Sequence, residues 1–123
     1  MSTAGRRADR VAERVKVELM DLLLRGELRD PEARDAYVTA VAVSDDLSHA
    51  RVFVRALGDV EDEAAQKRVV AALNRAAGFL RRALATRIVL KHQPELRFFW
   101  DAGVERAARI EELLFEIQRE GRS

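Results

Sequence analysis

Asn74-Arg75-Ala76-Ala77-Gly78-Phe79-Leu80-Arg81-Arg82 places one glycine inside a long helical pattern. The apolar stripe Val69, Ala72, Leu73, Ala76, Leu80 and Leu84 keeps helical spacing on both sides of it. A glycine in a helix interior costs about 0.5–1 kcal/mol relative to alanine. The spacing therefore predicts two short helices meeting at a bend at Gly78, with alanines beside it. Small side chains at the corner and two arginines just beyond it offer a place where a phosphate backbone can come close.

Working outward, Asp62 and Glu63 with Glu61 suit a helix N-terminus, where the helix dipole favours negative charge. Upstream, Tyr37 to Val43 is rich in β-branched residues and predicts a strand with Tyr37, Thr39, Val41 and Val43 on one face. Ser44-Asp45-Asp46 supplies turn chemistry through short side chains that bond the backbone. His49 to Leu57 predicts a second strand, joined to the first as a hairpin. Its residues Ala50, Val52, Val54 and Ala56 point toward helices, and Arg51, Phe53 and Arg55 point away. Earlier still, Ala8 to Leu24 is an amphipathic helix with Val11, Val15, Leu19 and Leu22 on its apolar stripe and Gly26 as its stop. Downstream, Pro94 opens a third strand in which Leu96, Phe98 and Trp100 alternate with Arg97, Phe99 and Asp101. A mixed-charge helix over Val104 to Gln118 closes the chain, with Ile110, Leu113, Leu114 and Ile117 as its stripe.

The order helix, strand, strand, bent helix, strand, helix predicts an α+β fold. A three-stranded sheet with helices on one face buries the apolar stripes. This is the type II KH order, with a helix-kink-helix in place of the GxxG loop and an extra C-terminal helix. The 123 residues form one domain, its core at about 7–102 and the added helix at about 104–118.

Composition narrows the function classes. There is no cysteine, so disulfide and thiolate chemistry are excluded. No apolar run approaches the roughly 18–20 residues of a membrane span, and the arginine-rich N-terminus lacks the apolar core of a signal peptide. A cytoplasmic location is expected. The net charge is +1, but it is unevenly laid out. Between Lys67 and Arg97 there are eight basic residues and one acidic residue, Glu95; from Asp101 to Ser123 there are four basic and six acidic. A basic centre in a near-neutral protein makes a local positive patch, which suits nucleic acid.

Several separate pieces together resemble the ribosome-binding factor A family of bacterial small-subunit assembly factors. They are Arg14-Val15, then Val43-Ser44-Asp45-Asp46-Leu47 followed by Ala50, then Leu73 to Arg81, then Pro94-Glu95-Leu96-Arg97-Phe98 leading to Asp101, and finally Arg109-Ile110. The similarity runs from about Arg7 to Leu114. It implies a KH-like domain whose GxxG loop is replaced by an Ala-x-Gly kink, here Ala76, Ala77 and Gly78. It also implies binding to 16S rRNA on free 30S subunits, near the 5′-terminal helix and the decoding-region helices. Support for late processing of the rRNA 5′ end, importance in the cold and release by a ribosome-assembly GTPase are implied in the same way. A single glycine at the corner leaves no ordinary KH clamp, so contact with folded rRNA through shape and phosphate is expected instead.

The RNA-contact candidates are Arg75, Arg81, Arg82, Arg87 and Lys91, because guanidinium pairs bidentately with phosphate. Arg7, Arg10 and Arg14 form a second patch, although Asp9 and Glu13 are also placed to pair with them along the helix. Phe98 and Trp100 are expected in the core; Phe53 and Phe99 are expected on the opposite sheet face. Asp45 and Asp46 fit a turn better than a metal site. His49 and His92 have neither metal spacing nor a neighbouring nucleophile. No catalytic residue, metal or cofactor is expected, and a monomer is expected. The rival reading is a protein-interaction module that docks on a ribosomal protein or another partner without touching RNA.

Overall fold

The computed structural model describes residues 3–58 and 62–103, together with Ile117. The predicted helix over 104–118 therefore lies outside the described residues, apart from Ile117.

Helix α1 spans Thr3–Leu24, starting earlier than the apolar stripe alone predicts. It buries Ala8, Val11, Ala12, Val15, Leu19 and Leu22. Gly26 ends it at φ +69. Gly26 N–H donates to the Leu23 carbonyl (3.1 Å) and Glu27 N–H to the Leu22 carbonyl (3.4 Å), which is the Schellman pattern of a glycine stop. A short 3₁₀ turn, Pro31–Ala33, follows; the Asp30 side chain caps it by accepting from Glu32 N–H.

Strands β1 (Ala36–Val43) and β2 (His49–Ala56) pair antiparallel. The sequence pattern misplaced one face of β1. Val38 stands opposite Val54 and Ala40 opposite Phe53, so Thr39 is an extra residue in the ladder. This bulge reverses the alternation. Ala36 and Val38 are buried and Val41 and Val43 pack against the core, whereas Tyr37 lies on the other side. Tyr37 and Thr39 therefore do not share a face with Val41 and Val43. The Thr39 hydroxyl sits between the Phe53 carbonyl (3.1 Å) and the Asp101 carboxylate.

Helix α2 (Glu63–Arg75) is capped by Asp62, whose carboxylate accepts from Ala64 N–H. Helix α3 (Ala77–Ala85) follows after a single residue. Strand β3 (Glu95–Trp100) then pairs parallel with β2, giving the order β1-β2-β3. The helix α1 packs on β1, while α2 and α3 pack on β3. All the described helices cover one face of the sheet. Leu19, Leu73, Leu80, Leu84, Val52, Val54 and Phe98 are fully buried between them. Trp100, at the end of β3, is only half-buried and lies under the Arg55 guanidinium (5.3 Å to the ring centre). The element order and the parallel β2–β3 pairing are those of a type II KH-like domain. No helix among the described residues is long and apolar enough to cross a membrane.

Candidate nucleic-acid interface

The kink lies within the predicted tripeptide, but glycine is not its cause. The helix breaks at Ala76, which has φ −89 and ψ 0, the sparsely populated region typical of a turn. Ala76 N–H is shared between the Ala72 (3.2 Å) and Leu73 (3.1 Å) carbonyls, and the next helix begins when Leu80 N–H bonds the Ala76 carbonyl (2.9 Å). Gly78 sits in the first turn of α3 and is not among the positive-φ glycines. Its contribution is space. A Cβ at Gly78 would meet only the Arg82 Nη1 atom, at 3.5 Å. The Arg82 guanidinium folds back beside the bare backbone at the corner.

A groove of about 490 Å³ runs between this corner and the outer edge of β3. Asn74, Ala77, Gly78, Arg81, Leu96 and Arg97 line it, with the Glu95 carboxylate as its one acidic group. One wall is fixed by a contact that sequence reasoning missed. The Asn74 side-chain amide donates to the Phe98 carbonyl (3.2 Å), and its oxygen accepts from Phe98 N–H (2.8 Å). The amide thus stands in for a neighbouring strand and holds the bend against the edge of β3. No side chain caps α3, and the N–H groups of a helix's first turn have no partner within their own helix and favour an anion.

A second groove of about 400 Å³ adjoins the first, and Arg81 lines both. It gathers Arg7 from α1, Arg81 from α3 and Lys91 and His92 from the loop before β3, with Asp46 and Ser48 of the hairpin turn on its far side. Arg7 and Lys91, 84 positions apart in the chain, are therefore brought to one site. Arg81 itself is held by two bonds from Nε (3.1 Å) and Nη2 (2.7 Å) to the Gln93 carbonyl. Arg82 and Lys91 are exposed and have no hydrogen-bond or ion-pair partner among the described residues; Arg7 and Arg10 are likewise exposed and unpaired there.

The remaining sequence candidates are tied to carboxylates. Arg87 is half-buried, with Nη1 2.6 Å from Asp21 and 3.7 Å from Glu18. Its hydrogen bond to Asp21 raises the Arg87 pKa and lowers that of Asp21, which also receives Arg25 at 2.8 Å. Arg14 lies 3.8 Å from Glu18. Arg75 pairs with Asp30 (3.0 Å) and Glu32 (3.7 Å) and holds the Asp30 carboxyl below its usual range. Arg87 therefore ties the segment just after α3 to α1, Arg14 reaches the Arg87 carbonyl (3.5 Å) from α1, and Arg75 ties α2 to the 3₁₀ turn. Their charge is offset locally, which leaves Arg81, Arg82, Lys91, Arg7 and Arg10 as the open part of the predicted set. Arg97, which was not singled out from the sequence, joins them at the groove wall.

The hairpin turn is built around one carboxylate. Asp46 accepts from Ser48 Oγ (2.6 Å), Ser44 Oγ (2.8 Å) and Ser48 N–H (3.0 Å). Those bonds, the Ser48 hydroxyl first, pull its pKa down to about 2. Ser48 Oγ also touches His49 Nδ1 (2.7 Å). In a nucleophile relay the imidazole stands between carboxylate and hydroxyl. Here the hydroxyl stands in the middle, so the cluster shapes a turn. Among the described residues no group of three or more His, Cys, Asp or Glu is placed to hold a metal.

This architecture has close counterparts. The profile of the family described as ribosome-binding factor A matches residues 7–114. The chain belongs to the ribosome-binding factor A family. It is 44% identical to ribosome-binding factor A of Sorangium cellulosum, over 96% of this chain and 94% of that protein. The crystal structure of ribosome-binding factor A from Thermus thermophilus superposes with a TM-score of 0.64 at 29% identity, covering 76% of this chain and 93% of that one. A third similar structure is the Thermus thermophilus factor as fitted into the cryo-EM map of a 30S complex. It has a TM-score of 0.53 and 33% identity, covering 72% of this chain and 94% of that one. Ribosome-binding factor A therefore supplies the frame in which the two grooves are interpreted.

Proposed function

We propose that this protein is a non-enzymatic assembly factor that binds 16S rRNA on the free 30S subunit through the α2–α3 corner. The observation that carries the reading is the corner itself. The uncapped start of α3 and the side-chain-free Gly78 border a groove that continues past Arg81 to Lys91 and Arg7, and Arg82, with no partner among the described residues, lays its guanidinium beside Gly78. Backbone N–H groups and cations together make a phosphate site. The 30S complex of the Thermus thermophilus relative supports the small subunit as the target. Family resemblance supports the finer picture: action near the 5′-terminal and decoding-region helices, late 5′-end processing, a role in the cold, a cytoplasmic monomer and release by a ribosome-assembly GTPase. Holding one local rRNA conformation requires only that the protein bind it better than the alternatives.

The test is co-sedimentation with small subunits, large subunits and assembled ribosomes at two salt concentrations. Selective capture by small subunits that weakens with salt is expected. Arg82→Glu combined with Lys91→Glu leaves every described hydrogen bond in place, whereas Arg81→Glu would break the Gln93 clamp. The double variant should fold normally, bind small subunits much more weakly and reduce the slope of log K against log salt by about 2. Unchanged binding by the folded variant refutes the assignment of this surface. Salt-insensitive capture of a single ribosomal protein would establish the protein-interaction reading instead.

A further inference from the structure

The sheet face turned away from the helices carries a second group of cations and aromatic rings. On β2 and β3 the register places His49 beside Glu95, Arg51 beside Arg97 and Phe53 beside Phe99. Two arginines side by side across a strand pair repel each other, and such pairs destabilise a sheet. Neither Arg51 nor Arg97 has an ion-pair or hydrogen-bond partner among the described residues, and both are exposed. The cost is thus not offset within the described fold. The next row holds the Phe53 and Phe99 rings, 5.8 Å apart between centres and tilted by 33°. On the β1 side these residues face only alanines: Ala42 stands opposite Arg51 and Ala40 opposite Phe53. The bulge at Thr39 is what turns those alanines to this face. A groove of about 380 Å³ lies here, lined by His49, Arg51, Glu95, Arg97 and Phe99.

Arg97 lines this groove and also the groove at the kink. The two are therefore joined around the outer edge of β3. Rows two residues apart along parallel strands are separated by about 6.6 Å, a spacing that one nucleotide bridges between its phosphate and its base. Glu95, 3.9 Å from His49, bounds the cationic row on one side and disfavours a phosphate there. The aromatic row bounds it on the other.

We propose that the β2–β3 face binds an unpaired RNA strand. A phosphate sits between the Arg51 and Arg97 guanidiniums, and the adjoining base stacks on Phe99. Two guanidiniums with no carboxylate between them complement a phosphate, and the half-buried Phe99 ring beside them offers a platform for a sequence-tolerant base contact. The inference shares the RNA class with the reading of the kink groove but rests on different residues. Arg97 and Glu95 line both grooves.

The experiment uses the full chain and a short fluorescein-labelled oligouridylate, read by fluorescence anisotropy over a salt series. Arg51→Gln should weaken binding about 5- to 10-fold and lower the salt slope by about 0.7, the single-strand value for one phosphate contact. Phe99→Leu should weaken binding by a similar factor with the slope unchanged, because stacking releases no counterion. Arg51→Glu would face a carboxylate toward Arg97, so binding should be lost while the melting temperature stays the same or rises. A merely structural role for Arg51 would lower that temperature instead. A strand containing 4-thiouridine should crosslink to the tryptic peptide that begins at Phe98. No binding of the oligonucleotide by the wild-type chain overturns the proposal. So does binding that both Arg51→Gln and Phe99→Leu leave intact, and so does a loss of small-subunit capture by these variants without a loss of oligonucleotide binding, which would assign the face to a protein. None of these outcomes touches the kink-groove reading, which stands or falls on the Arg82→Glu and Lys91→Glu variant with small subunits.

Discussion

Replacing Gly78 with alanine separates the two things a glycine can do in a helix corner. If the corner needed glycine for its backbone, the substitution would strain the fold. The structure argues the opposite. Gly78 is inside the first turn of α3 without a positive φ, and the turn-like angles belong to Ala76. A new methyl group would meet only the Arg82 Nη1 atom at 3.5 Å, an ordinary contact with the mobile end of a side chain. Alanine should then gain the helix propensity that glycine forgoes, about 0.5–1 kcal/mol. For a chain of this size that raises the melting temperature by about 2–4 °C, measurable by far-UV circular dichroism. The same methyl stands in the wall of the kink groove, where the proposed phosphate approaches backbone N–H groups. Loss of one such hydrogen bond is worth about 1 kcal/mol, or roughly 5-fold in affinity. No charge changes, so the salt dependence of small-subunit binding should keep its slope. The expected signature is a more stable protein that binds less well. A lower melting temperature would refute the placement of the break at Ala76. Unchanged binding in a stabilised protein would remove the groove from the interface.

Two other substitutions probe the supports of the site. Asn74→Ala removes both bonds to the Phe98 backbone, which should cost about 1–3 kcal/mol in chemical denaturation and speed hydrogen exchange at the Phe98 amide; unchanged exchange there would mean the side chain does not hold the β3 edge. The Asp46 carboxyl has a folded pKa of about 2 against an ordinary 3.8, so its contribution to stability is complete above pH 3.8 and is lost as the pH falls toward 2. Thermal melts of Asp46→Asn should accordingly start lower at neutral pH and lose less between pH 4 and pH 2 than those of the wild type. Parallel curves for the two proteins would refute the hairpin carboxylate as a source of acid sensitivity.

Why some of this was legible in the sequence, and some not, comes down to the range over which each feature is determined. The helix stop at Gly26, the cap at Asp62 and the strand opened by Pro94 depend on a few adjacent residues, and local chemistry exposed them. The core positions Leu73, Leu80 and Leu84 followed from spacing alone. The bulge at Thr39 did not, because Tyr37, Thr39, Val41 and Val43 alternate well enough to be taken for one unbroken strand. The residues that would have betrayed the shift, Ala40 and Ala42, fit either face. Charge was the hardest to interpret. Arg87 and Arg75 look as available as Arg82 in the sequence, yet their carboxylate partners Asp21 and Asp30 lie 66 and 45 positions away. A formal charge counts toward an RNA surface only after such long-range partners are subtracted, and that subtraction needs the fold. It moves the weight of the interface from the length of the basic segment to its corner. There Arg82 and Lys91 have no described carboxylate to offset them, and Arg97 carries the positive surface around the edge of β3. The same subtraction singles out Arg51. The sequence pattern puts it merely on the outward face of a strand, and its only described cross-strand neighbour of full charge is another arginine. Within the fold alone such a pair is a cost, and against the proposed phosphate it is a gain.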